Sequence, residues 1–264
     1  MKNKIFFLTL ILILAACSMP GSDGNGDGQE AATTAPATEA PSTAPPEPTA
    51  IQHQDVPVAA SELKPYPDVT SADTAAEKRA PYGDSYDINR LERPFTQDMT
   101  YMPDVDIASF GISEDDTWYY VSIEMVGKNP NNAPGIRFTL ELDTNIDSFG
   151  DILIVANPPF SEEWTADNIT IYADTNRDSA GISASKSDAV FTGNGYDQLL
   201  HDFAQGVGTD PDTAWVRVNA SSLETVQFAF KKSAFGGTFL YSVMADAGLK
   251  DVARLDYVDY FTLE

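Results

Sequence analysis

Along much of the chain beyond residue 81, apolar and polar residues alternate with a period of two. In WYYVSIEM (118–125) and IRFTLEL (136–142), every second residue is apolar. Such alternation is typical of β-strands that bury one face, because successive side chains point to opposite sides of a strand. Similar patterns predict strands at 105–112, 152–156, 169–173, 214–219, 226–231, 238–245 and 257–263. DILIVA (151–156) is apolar on both faces, which predicts an interior strand.

One segment, 196–204, instead predicts a helix, because Leu199, Leu200 and Phe203 would share one face. About nine short strands and one short helix predict an all-β fold, an antiparallel β-sandwich of jelly-roll type, over residues 81–264. If the strands at 136–142, 152–156 and 169–173 alternate in direction, the turns after the first and the third emerge at the same end of the sandwich.

The N-terminus has the features of a bacterial export signal. Lys2 and Lys4 precede an apolar run, residues 5–14, which is too short to span a bilayer as a mature helix. The following LAAC (14–17) resembles the lipobox of bacterial lipoproteins. That resemblance implies cleavage of a signal peptide, 1–16, followed by a thioether-linked lipid on Cys17 and acylation of the new amino terminus, for example with palmitate. The chain would then be anchored on the extracytoplasmic face of a membrane. The alternative is an ordinary signal peptide with an incidental cysteine.

Residues 17–80 are rich in Pro, Thr, Ala and Gly. Such a composition has little to bury and predicts a disordered spacer between the anchor and the domain. Removal of the signal peptide takes away Lys2 and Lys4, which leaves 14 basic against 40 acidic residues, a net charge of −26. This charge argues against nucleic acid as a partner. Because Cys17 is the single cysteine, its lipidation would leave no thiol for a disulfide, a nucleophile or a metal site.

The motif Asp-Thr-Asn-x-Asp-Ser occurs twice, at 143–148 and 174–179, each time after a predicted strand. Oxygen side chains at alternate positions can surround one Ca²⁺ ion. The candidate ligands are Asp143, Asn145, Asp147 and Asp151 in the first loop, and Asp174, Asn176 and Asp178 in the second. The resemblance to EF-hand loops is partial, since Ser148 replaces a glycine and Ile154 replaces the bidentate glutamate. The alternative is a pair of Asx-rich turns without metal.

Aromatic residues suggest a second kind of site. Trp118 and Trp164 are the candidates for stacking on a glycan, if they lie on an exposed sheet face. No catalytic residues are predicted. His201 is the only histidine outside the predicted spacer, and the chain lacks a GxSxG nucleophile motif. The alternatives to a non-catalytic module are an extracytoplasmic hydrolase (a glycoside hydrolase or an esterase) and a purely structural envelope or adhesion protein.

Two longer segments, DVDIASFGISEDDTWYYVSI (104–123) and VQFAFKKSAFGGTFLYSVMADAG (226–248), resemble exported β-sandwich modules of the DOMON and family-9 carbohydrate-binding type. The resemblance extends over about 85–264. It implies a binding module with a glycan or an envelope component as partner. Haem is not expected, because no predicted strand contains a histidine ligand.

Overall fold

The computed structural model describes residues 51–58, 64–87, 89–96, 98–128, 135–179, 193–219 and 225–247. These residues form two β-sheets that pack face to face around one apolar core. The prediction of an all-β sandwich is therefore confirmed.

Twelve strands lie within the described residues. They are β1 (Tyr66–Pro67), β2 (Tyr86–Asp87), β3 (Arg90–Arg93), β4 (Ile107–Glu114), β5 (Trp118–Met125), β6 (Arg137–Asp143), β7 (Ile152–Ala156), β8 (Ile169–Ala173), β9 (Gln198–His201), β10 (Ala214–Val218), β11 (Thr225–Lys231) and β12 (Leu240–Asp246). A single α-helical turn, α1 (Lys232–Phe235), follows β11, and 3-10 turns occupy Ala75–Glu77, Pro103–Val105 and Phe203–Gln205.

The first sheet has five strands in the order β1-β4-β5-β11-β10, and the second has seven in the order β2-β3-β12-β6-β7-β8-β9. Neighbouring strands run antiparallel, except that β12 pairs with β3 in parallel. The shared core contains Val121, Ile123 and Phe228 from the first sheet and Phe138 and Leu140 from the second, all fully buried. Each such side chain contributes roughly 1.5–3 kcal/mol to folding through removal from water.

Every predicted strand that falls within the described residues is present, with ends within two residues of the predicted ones. The strand predicted at 257–263 lies outside the described residues. DILIVA forms β7, an interior strand of the seven-stranded sheet, with Ile154 in the shared core and Leu153 and Val155 in a smaller apolar cluster.

The helix predicted at 196–204 is wrong. Residues Gln198–His201 form β9, which pairs with the edge of β8, and a 3-10 turn follows. Leu199 and His201 are the less exposed positions of β9, while Gln198 and Leu200 are exposed. Backbone pairing with β8 and the alternation of exposed and less exposed side chains along β9 therefore override the helical spacing of the leucines.

The prediction of a disordered spacer that extends to residue 80 is wrong for its described part. Tyr66 and Pro67 pair with β4, and Ser71 is fully buried. Residues 51–58 contact the outer face of the first sheet through His53 and Asp55. The folded part of the chain therefore begins well before the predicted boundary. The signal peptide, Cys17 and the rest of the predicted spacer up to residue 50 lie outside the described residues.

Within the described ranges, no helix has the length and apolar character needed to cross a membrane.

Candidate functional site

The two DTN loops lie at the same end of the sandwich, as predicted. Both follow strands of equal direction, β6 and β8, on either side of β7. The guanidinium of Arg177 in the second loop pairs with Asp147 in the first at 2.8 Å and lies 4.5 Å from the centre of the Phe149 ring.

In the first loop, the carboxylate of Asp143 accepts hydrogen bonds from the backbone amides of Asp147 (3.1 Å) and Ser148 (2.7 Å). Asp151, directly before β7, accepts from both the amide and the hydroxyl of Thr144 (2.7 and 2.6 Å). Gly150 is required here, because a Cβ atom at this position would lie 2.0 Å from a tyrosine hydroxyl.

The second loop repeats this arrangement. Asp174 accepts from the amides of Asn176, Arg177 and Ser179 at 3.0, 2.8 and 2.7 Å. Thr175 donates its amide and its hydroxyl to Asp197, directly before β9. In both loops, the first Asp therefore binds loop amides and the following Thr binds an Asp at the start of the next strand. This shared turn geometry accounts for the repeated motif.

The predicted calcium ligands are largely occupied by these bonds. Asp178 accepts from the amides of Asn194 and Gly195, both at 2.9 Å, and Asn145 donates its side-chain amide to Asp151 at 3.0 Å. Ser148, which replaces the glycine of an EF-hand loop, has a φ of 74°. Calcium binding by the DTN loops stays a prediction, and the geometry by itself is that of Asx turns.

A different set of acids comes together elsewhere in the fold. Asp84, Glu92 and Asp106 each offer a carboxylate oxygen within 4.8 Å of the other two, and all three residues have no exposed surface. We call them the acidic cluster. Among the described residues, no other group of three or more His, Cys, Asp or Glu has this proximity.

Four hydrogen-bond donors hold the acidic cluster in place. The amide of Ser71 donates to Asp106 at 3.0 Å, and its hydroxyl donates to Asp84 at 2.9 Å. The hydroxyl of Tyr101 also donates to Asp106, and the amide of Ile107 donates to Glu92. Each carboxylate retains a second, buried oxygen without a hydrogen-bond partner: Asp84 Oδ1, Glu92 Oε1 and Asp106 Oδ1.

Burial makes negative charge unfavourable in the acidic cluster. It raises the pKa of Asp84 to about 7, against the opposing hydrogen bond from Ser71, and the carboxylates of Asp106 and Asp68 act in the same direction as burial. Burial also raises the pKa of Glu92 well above its usual range, with Asp106 and Asp84 adding to the effect. The pKa of Asp106 is likewise raised by burial. The acidic cluster thus favours bound positive charge, either protons or a metal cation.

The third region is an aromatic cluster on the outer face of the first sheet. Its buried members are Trp118, Tyr120 and Trp215, and Trp164 packs against them half-buried. Trp118 is only 3 % exposed, so the prediction that it lies on an exposed face is wrong.

Residues 51–58, which we call the arm, contact this face. The buried carboxylate of Asp212 holds the arm by accepting from the His53 ring (2.6 Å) and from the amides of Gln54 and Asp55 (2.8 and 2.9 Å). The His53 ring packs on Trp215, with 4.7 Å between ring centres. The side chain of Lys231 forms a second link, 2.9 Å from the carboxylate of Asp55.

A cavity of about 420 Å³ lies between the arm and the β4–β5 turn. Its lining comprises Gln54, Asp55, Val56, Val58, Asp115, Asp116, Thr117 and Trp118. Asp115 shapes this turn, because it accepts from the amides of Thr117 and Trp118 and from the hydroxyl of Tyr120. Of the two predicted glycan-stacking residues, Trp118 lines the cavity. Trp164 is not among the lining residues and is instead covered by the guanidinium of Arg217, 4.5 Å from its ring centre.

The DTN loops, the acidic cluster and the cavity are interpreted from their geometry, because comparison with known proteins gave no match. No family model, no curated protein and no solved structure matches the chain. The fold and the sites together describe a β-sandwich with a polar cavity beside a tryptophan and a separate, buried acidic cluster.

Sequence reasoning missed the acidic cluster and the arm. Asp84, Glu92 and Asp106 come from separate segments and have no regular spacing. The one local signal is Glu92, a charged residue that directly follows Leu91 and proves to be fully buried on β3. The arm falls within the predicted spacer because its contacts, such as His53 with Asp212, are formed with residues far along the chain.

Proposed function

We propose that this chain is a lipid-anchored, extracytoplasmic, non-catalytic β-sandwich module that binds a glycan. The observation that carries the proposal is the cavity beside Trp118. Pockets of a few hundred Å³ are the usual size for small ligands, and this one combines an aromatic ring with carboxylate, amide and hydroxyl side chains. Sugars offer the matching chemistry, because their hydroxyl groups bond to polar side chains, while Trp118, 3 % exposed, forms part of the cavity wall.

The charge of the chain narrows the class of glycan. The formal net charge is −24, and the cavity contains Asp55, Asp115 and Asp116. A uronic acid or sulfated polymer would be repelled from this surface. A neutral oligosaccharide is therefore the proposed ligand.

Tryptophan fluorescence tests this proposal directly. The chain has three tryptophans, and all three belong to the aromatic cluster. We expect neutral probes such as cellohexaose or chitohexaose to change the emission in a saturable way, and a hexamer of galacturonic acid to have no effect. Asp116→Asn and Thr117→Ala alter exposed cavity residues and should weaken binding, whereas Asp167→Asn, at an exposed position outside the cavity lining, serves as the matched control. If none of the neutral probes changes the emission up to millimolar concentrations, glycan binding is not the function of this cavity.

The lipid anchor has its own test. Cys17→Ser should release the chain from the membrane fraction, since the acidic domain has no attraction to anionic lipid. Retention of Cys17→Ser in carbonate-washed membranes would contradict the proposed anchor.

A hydrolase or a structural envelope protein is the competing interpretation. Hydrolysis of the neutral probes by the wild-type chain would favour the enzyme. Normal folding and membrane anchoring, together with no binding to any probe, would favour the structural protein.

A further inference from the structure

The acidic cluster lies where three parts of the fold meet and shares no residue with the cavity of the glycan proposal. Asp84 belongs to the turn before β2, Glu92 to β3 of the seven-stranded sheet, and Asp106 directly precedes β4 of the five-stranded sheet. The cluster therefore connects one sheet to the other and to segment 64–87, which supplies the edge strands β1 and β2 of the two sheets.

Only one of the two oxygens of each carboxylate in the cluster accepts a hydrogen bond. One oxygen of each carboxylate is used by a donor from the fold, while Asp84 Oδ1, Glu92 Oε1 and Asp106 Oδ1 are buried without a partner. A buried polar oxygen without a partner is costly, and a buried charge without a counterion is far more so. The three residues that carry these oxygens also bring carboxylate oxygens within 4.8 Å of one another, an arrangement that suits a bound cation.

We propose that Asp84, Glu92 and Asp106 form a binding site for one divalent metal cation, Ca²⁺. Carboxylate oxygens are the ligands that calcium prefers, at about 2.3–2.6 Å, so two oxygens on opposite sides of an ion lie about 5 Å apart. The carboxylate oxygens of the cluster, within 4.8 Å of one another, are compatible with this spacing. The group includes no His or Cys ligand, which disfavours zinc and other softer metals.

A cation at this site would have a structural role that follows from its surroundings. Ser71 donates both its amide and its hydroxyl to the cluster, and the neighbouring strands β1 and β2 are only two residues long. Such short strands form few backbone hydrogen bonds. The ion would fix segment 64–87 to both sheets, so removal of the ion should loosen this segment before the core unfolds.

Calorimetric titration of CaCl₂ into the metal-stripped chain carrying Cys17→Ser tests the site. We expect one strong binding site and a rise in melting temperature of at least about 5 °C when Ca²⁺ is a hundredfold above its dissociation constant. Glu92→Gln preserves the shape of the side chain and should reduce calcium affinity at least tenfold. Because glutamine keeps an oxygen for the Ile107 amide and never has to bury a negative charge, it should leave the melting temperature in EDTA unchanged or higher, which separates loss of the site from loss of the fold.

Asp147→Asn and Asp178→Asn, in the two DTN loops, are the matched controls and should retain the binding at the cluster. The proposal is overturned if the wild-type chain shows no heat of binding and no melting shift at millimolar Ca²⁺. It is also overturned if binding survives Glu92→Gln but is lost in Asp147→Asn, since the ion would then lie in the first DTN loop. Preference for Mg²⁺ over Ca²⁺ would overturn the assignment to calcium.

Discussion

The attachment of the arm to the first sheet depends on Asp212, and Asp212→Ala should release it. Asp212 is 1 % exposed. Its carboxylate accepts hydrogen bonds from the His53 ring and from two consecutive arm amides at 2.6–2.9 Å. Hydrogen bonds to a charged group contribute about 1.5–3 kcal/mol each. Three of them at the lower value give about 4.5 kcal/mol, and because such contributions are not additive we take about half, roughly 2 kcal/mol. The detached population of the arm should then rise roughly 30-fold, at about 1.4 kcal/mol per factor of ten.

Acrylamide quenching of tryptophan fluorescence measures this release. Trp215 is 4 % exposed beneath the His53 ring, so its quenching should increase and its emission should shift to longer wavelength when the arm detaches. The core should stay folded, because the freed arm amides can bond to water. Asp212→Asn retains a neutral acceptor and should give an intermediate result, while Asp116→Ala, at an exposed residue of the same region, should give none. Quenching of Asp212→Ala equal to that of the wild type would refute the role of Asp212 in holding the arm.

Three further predictions concern His201, Phe228 and Thr144. Burial lowers the pKa of His201. The contribution of neutral His201 to stability is therefore complete above the ordinary pKa of 6.5 and is lost as pH falls through the lowered pKa. The melting temperature of His201→Gln should vary less between about pH 5 and 7 than that of the wild type. Phe228→Ala should destabilise the fold by about 3–5 kcal/mol in urea denaturation, because its ring is fully buried in the shared core, and a loss below about 1 kcal/mol would contradict that packing. Thr144→Val should destabilise the first DTN loop by about 1–3 kcal/mol, since Asp151 loses a hydroxyl donor at 2.6 Å, and hydrogen exchange that is unchanged in this loop would contradict the role of the threonine.

The fold could be predicted from sequence because the information for its main strands is local. Alternation in β5 and β6 indicates which face enters the shared core, and the structure places Ile123 and Phe138 there accordingly. The opposite faces of both strands are also largely buried, which the alternation did not predict. The same reasoning failed at Gln198–His201, where the spacing of leucines imitates a helix while the open edge of β8 supplies backbone partners. Strands β1, β2 and β3 were not predicted, because two to four residues carry no clear periodic signal.

The candidate sites also differ in whether their residues are local or distant in sequence. The DTN loops are contiguous motifs, and the sequence was sufficient to locate them and to predict that they share one end of the sandwich. The acidic cluster, Asp84, Glu92 and Asp106, is held by donors such as Ser71, and its members come from segments that only the tertiary fold brings together. The cavity beside Trp118 likewise requires the arm, whose position depends on Asp212. Spacing along the chain does not encode these non-local arrangements.

Metal analysis of the purified chain is the most direct measurement of whether the acidic cluster is a cation centre. The chain carrying Cys17→Ser would be equilibrated with micromolar Ca²⁺, freed of unbound ion by gel filtration and analysed by mass spectrometry, beside Glu92→Gln and Asp147→Asn. We expect at least one tightly held calcium per wild-type chain, one fewer in Glu92→Gln, and an unchanged acidic-cluster ion in Asp147→Asn. Equal calcium content in the wild type and Glu92→Gln would contradict a calcium site formed by Asp84, Glu92 and Asp106.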